Sequence, residues 1–319
     1  MRRNLRNSGA AIALIAVVGF LCGPAEANVI TNYTTVFNTD WTTAGIGGLR
    51  GTGAGSLVVT GVTGPVTQSY SFWAGPTDST NPNFNSNVTV NGTSIAGTNI
   101  GFSQDNDWGF LNSQAYRANT TSVINGNGTY AITGLDTGTN GLGSLLFFND
   151  SNPANNRDVV IFNGNDANFG SSYDPAGWNM NLNGIHYSGG QANITFMVSD
   201  GQNFGPEDDG TITINGQTLV SGGIFQGDTL CCGTGPTGNG NLWDIETFDL
   251  TPFLVMGDNN LNIQLGPGVD DAIADIATII DLPAGDAPPT NVPEPLTLSV
   301  FGAGIAGAVA LRRRKKAKA

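Results

Sequence analysis

The chain has 319 residues, with 12 lysines and arginines against 25 aspartates and glutamates, and its formal net charge is −13. Most basic residues lie at the two ends, so residues 28–292 keep only Arg50, Arg117 and Arg157 against 23 acidic residues, a net charge of about −20. Such a surface repels phosphates and anionic headgroups, which excludes nucleic acid as a partner.

The N-terminus has the pattern of a secretory signal peptide. Three arginines within the first six residues precede an apolar stretch over residues 10–22, and Ala25 and Ala27 are small residues at the usual cleavage spacing. We predict a signal peptide over residues 1–27 that is cleaved after Ala27. The bulky Leu21 before Cys22 disfavours a lipoprotein.

The composition of the exported core favours an all-β fold. Asp, Asn, Thr, Ser and Gly are abundant, whereas Glu and Lys are nearly absent, and this mixture opposes helices and suits strands joined by tight turns. Its apolar runs are short and bounded by Asn, Asp or Gly, as expected of buried sandwich strands. The clearest runs are residues 144–148, 159–162, 194–198 and 276–280.

An internal repeat divides this core. Residues 88–95 (VTVNGTSI) resemble residues 212–219 (ITINGQTL), and each segment alternates around an Asn-Gly pair that suits a two-residue hairpin turn. Further on, residues 116–132 parallel residues 247–263, so the offset drifts from 124 to about 131. The predicted division is an N-terminal strand and loop segment at residues 28–56, a first β unit at 57–189 and a second β unit at 190–283.

Two resemblances bear on the fold. Residues 248–254 (FDLTPFL) and 257–263 (GDNNLNI) are similar to a strand pair of galactose-binding-like and other jelly-roll sandwiches. Residues 88–282 as a whole resemble an uncharacterised domain of archaeal and bacterial surface proteins. The resemblances imply a surface location and an all-β fold of two related jelly-roll-like β-sandwich units, and they supply no activity.

The cysteines predict a local feature rather than a disulfide framework. Once Cys22 leaves with the signal peptide, only the adjacent Cys231 and Cys232 remain in an oxidising compartment. A vicinal disulfide between them would stiffen their loop, and an intermolecular disulfide is the alternative. Two cysteines alone lack the ligands for a metal site, because His186 is the one histidine of the chain.

The scarcity of bases argues against an enzyme. A catalytic triad would depend entirely on His186, since the core holds no lysine, and the pattern around it predicts an ordinary strand histidine near a turn. Paired carboxylates could support glycoside hydrolysis, but no spacing singles out a pair. We therefore expect no catalytic residues and no organic cofactor.

Two binding features remain open at this level. The oxygen-rich turns are of the kind that calcium prefers, and the weak candidates are Asp200, Glu207, Asp208 and Asp209, although ordinary Asx turns explain each loop as well. The tryptophans either form a platform for stacking sugars or fill the core of the sandwich. They are Trp41, Trp73, Trp108, Trp178 and Trp243.

The C-terminus carries a three-part signal. A Pro-rich linker at residues 284–292 leads to Val292, Pro293, Glu294 and Pro295, and an apolar run at 296–311 and a basic tail at 312–318 follow. The run of 16 residues is short of the ~20 that cross a typical bilayer, so it predicts a weak transmembrane anchor with the basic tail in the cytoplasm.

These residues resemble the sorting signal of PEP-CTERM proteins, here at residues 293–316. The resemblance implies export across the inner membrane, transient anchoring by the helix, and recognition by an exosortase, a membrane-bound processing enzyme. Two hypotheses for function follow. The first is a non-enzymatic surface or extracellular-matrix protein, associated with exopolysaccharide in a biofilm, and the second is a carbohydrate-binding module or adhesin that uses a sandwich face.

Overall fold

The computed structural model describes residues 29–103, 110–168, 177–202, 209–227, 242–266 and 273–287. This part of the chain is all-β, with seventeen strands and one short 3₁₀ helix, Thr251–Phe253. The first nine strands are β1 Ile30–Ile46, β2 Gly55–Val59, β3 Val66–Thr77, β4 Asn87–Val90, β5 Thr93–Ala96, β6 Thr98–Ser103, β7 Asn112–Asn119, β8 Gly128–Thr133 and β9 Gly141–Phe148. The others are β10 Arg157–Ala167, β11 Trp178–Tyr187, β12 Asn193–Ser199, β13 Thr211–Ile214, β14 Gln217–Ser221, β15 Trp243–Asp249, β16 Gly257–Leu265 and β17 Ala274–Pro283.

The strand β1 joins two large sheets. Its first half pairs antiparallel with β10, from Ile30 opposite Gly164 to Thr39 opposite Arg157, and its second half pairs with β9. The change of partner coincides with an irregularity near Asn38, whose φ of 50° is in the left-handed region. The result is one nine-stranded ladder in the order β15-β12-β17-β10-β1-β9-β3-β7-β6.

We call the β9-β3-β7-β6 side of this ladder the first inner sheet and the β15-β12-β17-β10 side the second inner sheet. Two four-stranded sheets accompany them: the first outer sheet has the order β2-β8-β4-β5 and the second outer sheet the order β11-β16-β13-β14. The first outer and inner sheets form the first sandwich, and the second pair forms the second sandwich. Both outer sheets have the same strand order when β2 is matched with β11, β4 with β13, β5 with β14 and β8 with β16.

Three apolar clusters fill the spaces between the four layers. The first sandwich packs around Trp73, which stacks on Tyr116 with ring centroids 5.7 Å apart, and the second packs around Trp178. A third cluster lies between the two inner sheets and includes Phe147 from β9 and Ile161 from β10. Since both inner sheets are covered on both faces, strands such as β9 and β10 are apolar and buried along nearly their whole length.

Both predicted Asn-Gly hairpins are confirmed. Asn91 and Asn215 have φ of 47° and 52°, and the glycine after each also has positive φ, as a type I′ turn requires. The two tips dock in the same way. The Asn91 side chain accepts a 2.8 Å hydrogen bond from the N–H of Ala131, and the Asn215 side chain accepts a 2.8 Å bond from the N–H of Asn262.

The predicted buried runs at residues 144–148, 159–162, 194–198 and 276–280 lie within β9, β10, β12 and β17, as expected. The expected boundary between residues 189 and 190 falls between β11 and β12, whereas the sheets group β10 and β11 with the strands that follow them. The segment at residues 28–56 contains β1, which belongs to both inner sheets. Pairing partners far along the chain, rather than the local repeat, determine this grouping.

Among the residues described, no helix is both long and apolar enough to cross a membrane. The predicted signal peptide with its cleavage site at Ala27, the linker after residue 287, and the sorting signal with its helix and basic tail lie outside the described residues.

Candidate functional site: a surface groove and buried charges

A groove of about 400 Å³ opens at one end of the first sandwich. It lies between the segment after β3 and the turn before β9. The residues that line it include Arg50, Asp78, Ser79, Phe84, Phe110 and Asp136. Phe84 is 47% exposed, so its ring leaves a face for a ligand.

Hydrogen bonds from Asn85 hold the backbone beside Phe84. The Asn85 carbonyl accepts a 2.8 Å bond from the Trp73 indole, and its side chain accepts the N–H of Asp136 and donates to Thr139, both at 2.8 Å. On the opposite side of the groove, the carboxylate of Asp78 accepts a hydrogen bond from the N–H of Leu111. The groove is therefore built on well-connected backbone even though its walls are loops.

The chemistry of the groove suits a polar ligand with an apolar face. The exposed Phe84 ring can stack on such a face, while the carboxylates of Asp78 and Asp136 can accept hydrogen bonds from hydroxyl groups. Sequence reasoning missed Phe84 and Phe110. The available signal was a phenylalanine within the Asn- and Pro-rich loop NPNFNSN, where a core residue is not expected.

A second groove of about 410 Å³ lies on the second sandwich, beside the start of β1. Its lining includes the amides of Asn32, Asn179, Asn181 and Asn183. The side chain of Asn262 donates to Asn179 at 3.2 Å and to Asn181 at 3.0 Å, which orients two of these amides. This groove offers uncharged donors and acceptors without an exposed aromatic ring.

All three arginines of the core make internal contacts. Arg50 forms a 2.8 Å ion pair with Asp200, and Arg157 pairs with Asp281. The Arg117 guanidinium carbon lies 3.3 Å from the centroid of the Tyr33 ring, and burial lowers the pKa of Arg117. The three guanidinium groups are therefore engaged in contacts within the protein. The polar groups of the outer surface are mainly carboxylates and amides.

Buried acids line up across the second inner sheet. The strand register places Asp244 opposite Val198, Val198 opposite Asp275, and Asp275 opposite Asp166. Burial raises the pKa of Asp275 to about 7, and burial together with the charge of Glu246 raises the pKa of Asp244 to about 8. This row lies at the end of the second sandwich where β12 ends and β15 begins.

The predicted calcium residues separate into different settings. Asp200 pairs with Arg50, and Asp209 accepts backbone N–H bonds from Ile224 and Phe225. Glu207 and Asp208 lie outside the described residues, as do Cys231, Cys232 and the motif of Val292, Pro293, Glu294 and Pro295. Within the described ranges no group of three Asp, Glu, His or Cys side chains could hold a metal ion.

His186 lies in β11, in agreement with the strand prediction. Its Nδ1 is 2.8 Å from the carboxylate of Asp258 on the neighbouring strand β16, and both side chains are exposed. The nearby Ser188 hydroxyl donates to Asp286. Its proton is thus directed at a carboxylate and away from a nucleophile arrangement with His186.

Most of the described tryptophans lie in the core and not on a surface platform. Trp73, Trp178 and Trp243 are fully buried, and Trp41 is partly buried against the cluster between the inner sheets. A stacking platform built from all five tryptophans is therefore wrong, and Trp108 lies outside the described residues. The exposed aromatic surface at the groove comes from phenylalanine instead.

Comparison with known proteins adds no family to this description. No protein-family model matches the chain. No curated protein is significantly similar to it in sequence.

Proposed function

We propose that this is an exported, non-enzymatic surface or extracellular-matrix protein, sorted and processed by an exosortase-type membrane enzyme at its Pro-Glu-Pro box. The observation that carries the proposal is the order of motif, apolar run and basic tail at residues 292–318. The signal peptide at the other end supports it. The protein is first anchored in the inner membrane by its C-terminal helix and then reaches the cell surface or the medium.

The folded core suits a structural role outside the cell. Its apolar interior extends through four layers, and its few cationic groups are used in internal contacts. A surface rich in carboxylates and amides stays hydrated beside an exopolysaccharide and resists self-association by charge repulsion. We propose exopolysaccharide as the matrix partner.

The matched strand orders and hairpin contacts also support a finer description of the fold. We propose that the two sandwiches are copies of one jelly-roll-like unit of eight strands. The hairpin tips at Asn91 and Asn215 are 124 residues apart, and their docking partners Ala131 and Asn262 are 131 apart. Both spacings equal the offsets of the sequence repeat.

The intact mass of the protein recovered from cells and from medium tests the sorting proposal. The expected product begins at Asn28 and ends between Pro293 and Pro295, because both signals have been removed. In a variant with Pro293→Ala and Glu294→Ala, the product should keep residues 296–319. If the unsubstituted protein keeps those residues in every fraction, the processing proposal is overturned.

The groove beside Phe84 favours a second candidate function, carbohydrate binding. The observation is an exposed ring next to two carboxylates on a surface that repels anions, which points to a neutral oligosaccharide. Titration with a panel of neutral and acidic oligosaccharides should give binding to a neutral one.

The Phe84→Ala variant should then weaken that binding about fivefold, since an aromatic contact contributes about 1 kcal/mol beyond its buried area. Val58→Ala removes an exposed apolar side chain from the first outer sheet and is the matched control. Equal affinity for the two variants would place the sugar elsewhere, and the amide-rich groove at Asn181 would be tested next.

A further inference from the structure

Exposed apolar side chains gather where the chain leaves the folded core. In the part of the chain that the structure describes, the large apolar side chains with high exposure are Phe37, Val58, Phe84, Leu111, Val255 and Met256. Val255 and Met256 are consecutive and are the most exposed of the set, at 67% and 70%. Single exposed apolar side chains are common on protein surfaces, so the argument depends on what lies around these two.

The side chain of Asn259 fixes the loop that carries Val255 and Met256. Its amide oxygen accepts the N–H of Val255 at 2.9 Å, and its amide nitrogen donates to the carbonyl oxygens of Val255 and Gly257, both at 2.8 Å. Asn259 is buried, and so is Leu254, which packs in the core of the second sandwich just before the loop. Two apolar side chains are thus presented outward on a well-anchored loop, which we call the apolar tip.

The apolar tip lies beside the end of the last strand. Gly189 and Gly190 follow β11. A Cβ added to Gly189 would lie 3.8 Å from the sulfur of Met256, and one added to Gly190 would lie 3.0 Å from Cγ of Pro283. Pro283 is the last residue of β17, after which the chain leaves the core. The tip and the exit of the chain therefore contact one pair of adjacent glycines.

Phe37 adjoins the same exit from another side. It precedes Asn38, near which β1 changes its pairing from β10 to β9. One carboxylate oxygen of Asp158 accepts the N–H of Asn38. The other oxygen accepts the N–H groups of Gly285 and Ala287. A shared carboxylate thus joins the neighbour of Phe37 to the departing chain, and we call the end of the core that carries Phe37 and the apolar tip the exit end.

The groove described above lies at the opposite end of the core. The strand β3 begins at Val66, which is opposite Phe148 of β9. Phe148 is in turn opposite Asp40, close to Asn38 at the exit end. The groove lies beyond the other end of β3, at Thr77. Since a strand of 12 residues is about 40 Å long, the length of the core separates the groove from the exit end.

We propose that the exit end is a membrane-contact surface, and that Val255, Met256 and Phe37 insert into the interface of the bilayer while the protein is anchored. The inference rests on the C-terminal anchor proposed above. Residues 288–295 are all that separates the described core from the apolar run at 296–311. A stretch of this length reaches at most about 30 Å, so the exit end is the part of the core that the chain keeps nearest to the bilayer.

Apolar side chains rather than charges make this contact, because the acidic core repels anionic headgroups. The three side chains offer no more hydrocarbon than a single myristoyl chain, which by itself binds a membrane only marginally. The anchor adds the rest by keeping the exit end at a high effective concentration beside the bilayer. Removal of the anchor by processing would therefore end the contact in the same step. Until then the groove faces away from the membrane.

Photocrosslinking tests the contact. The full chain is reconstituted through its C-terminal segment into phosphatidylcholine vesicles, with benzoylphenylalanine in place of Met256 or, as the matched control, in place of Val58. Val58 is 56% exposed on the first outer sheet. Mass analysis should find about tenfold more lipid adducts at position 256, because a group at the boundary of headgroups and acyl chains stays in contact with lipid. Equal lipid labelling at the two positions would overturn the proposal, and so would adducts of position 256 to a second copy of the chain instead of to lipid.

Flotation of the vesicles separates this inference from the anchor on which it rests. If the full chain does not float with the vesicles, the anchor and the membrane contact are both wrong. If it floats and position 256 is labelled no more than position 58, the anchor stands and the membrane contact is wrong.

A variant with both tip residues replaced tests the role of the tip. Val255→Ser combined with Met256→Ser changes only exposed side chains, so the fold and the flotation should be unchanged. Lipid labelling by benzoylphenylalanine in place of Phe37 should then fall about fivefold, because two of the three apolar contacts with the bilayer are lost. Unchanged labelling at position 37 would show that the tip does not hold this end on the membrane.

Discussion

The guanidinium of Arg50 lies 2.8 Å from the carboxylate of Asp200, and this ion pair connects the two sandwiches. Arg50 follows β1 and Asp200 follows β12. The contact continues through Asn140, which accepts a 2.9 Å bond from Arg50 Nε and donates a 2.9 Å bond to Ser199. Four side chains from two sandwiches thus form one polar network above the apolar layer between the inner sheets.

Loss of this arginine should weaken the whole fold. Both partners are mostly buried, with 12% of each side chain exposed, so Arg50→Ala leaves Asp200 buried and without its cation. We expect the free energy of unfolding, measured by urea titration, to fall by about 3 kcal/mol. Arg50→Lys should recover only part of this, because an ammonium group cannot donate to Asp200 and Asn140 in the same geometry.

The exposed pair of His186 and Asp258 is the control for this experiment. Asp258→Asn removes the negative charge from an interaction of the same length, 2.8 Å, on the surface of the second outer sheet. It should leave the urea midpoint unchanged, since exposed pairs contribute little. An Arg50→Ala variant as stable as Asp258→Asn would show that the two sandwiches do not depend on the network.

Asp275 should make the stability depend on pH. Its side chain is fully buried, Thr278 donates a 2.6 Å hydrogen bond to one oxygen, and burial raises its pKa to about 7. In the unfolded chain the carboxyl titrates near pH ~4, so folding takes up a proton between about pH 4 and pH 7. The contribution of this group is thus complete below pH ~4 and is lost as the pH rises to about 7, by about 4 kcal/mol in total.

The Asp275→Asn variant isolates this contribution. Asparagine has the same shape and no charge, so the variant should exceed the unsubstituted protein in stability at pH 8 and approach it at pH 5. Other buried acids such as Asp244 titrate in both proteins and cancel in the difference. Urea titrations at the two pH values measure it, and a difference that stays the same at both would contradict the assignment.

The equivalent hairpin tips should respond alike to substitution. Asn91→Ala and Asn215→Ala each place an alanine at positive φ and remove the bond to the neighbouring strand, so each should lose about 2 kcal/mol of stability. Asn91→Gly keeps the backbone conformation and loses only the bond, so its loss should be smaller. Thermal unfolding of the three variants checks the order, and an Asn91→Gly variant less stable than Asn91→Ala would contradict the role given to φ.

Asp158 should control how the chain leaves the folded core. Its carboxylate accepts N–H bonds from Asn38 at 2.8 Å, Gly285 at 2.8 Å and Ala287 at 3.1 Å, so it holds the first residues of the predicted linker against the core. In Asp158→Ala these donors lose their acceptor, and we expect about 3 kcal/mol less stability. Limited proteolysis followed by mass analysis should show faster cleavage near residue 287.

Substitution at Ser188 distinguishes local loosening of the chain near residue 287 from a loss of global stability. Ser188→Ala removes a single hydroxyl bond to Asp286 and should speed cleavage near residue 287 with little change in the urea midpoint. If Asp158→Ala lowers the midpoint without altering the cleavage rate at that point, the carboxylate stabilises β10 and not the exit of the chain.

Several elements could be predicted because their signals are local. The Asn-Gly turns require left-handed backbone at Asn91 and Asn215, and the strands covered on both faces, such as β9, need continuous apolar runs. The groove could not be predicted in this way. The loop around Phe84 indicates an exposed ring, but only the bonds of Asn85 to Trp73 and Asp136 place that ring in a groove beside Asp136.

The sequence by itself determined the all-β class, the two hairpins and the repeat offsets, because each depends on composition or on neighbours within a few residues. Only the tertiary structure decided that β1 pairs with strands of two sheets, that β10 and β11 belong with the later strands, and that Asp166, Asp275 and Asp244 lie in one buried row. Those features depend on strand pairing over long separations. The free energy of such pairing comes from burying both faces of the inner sheets at once. The sequence of a single segment therefore does not show which distant strand it pairs with.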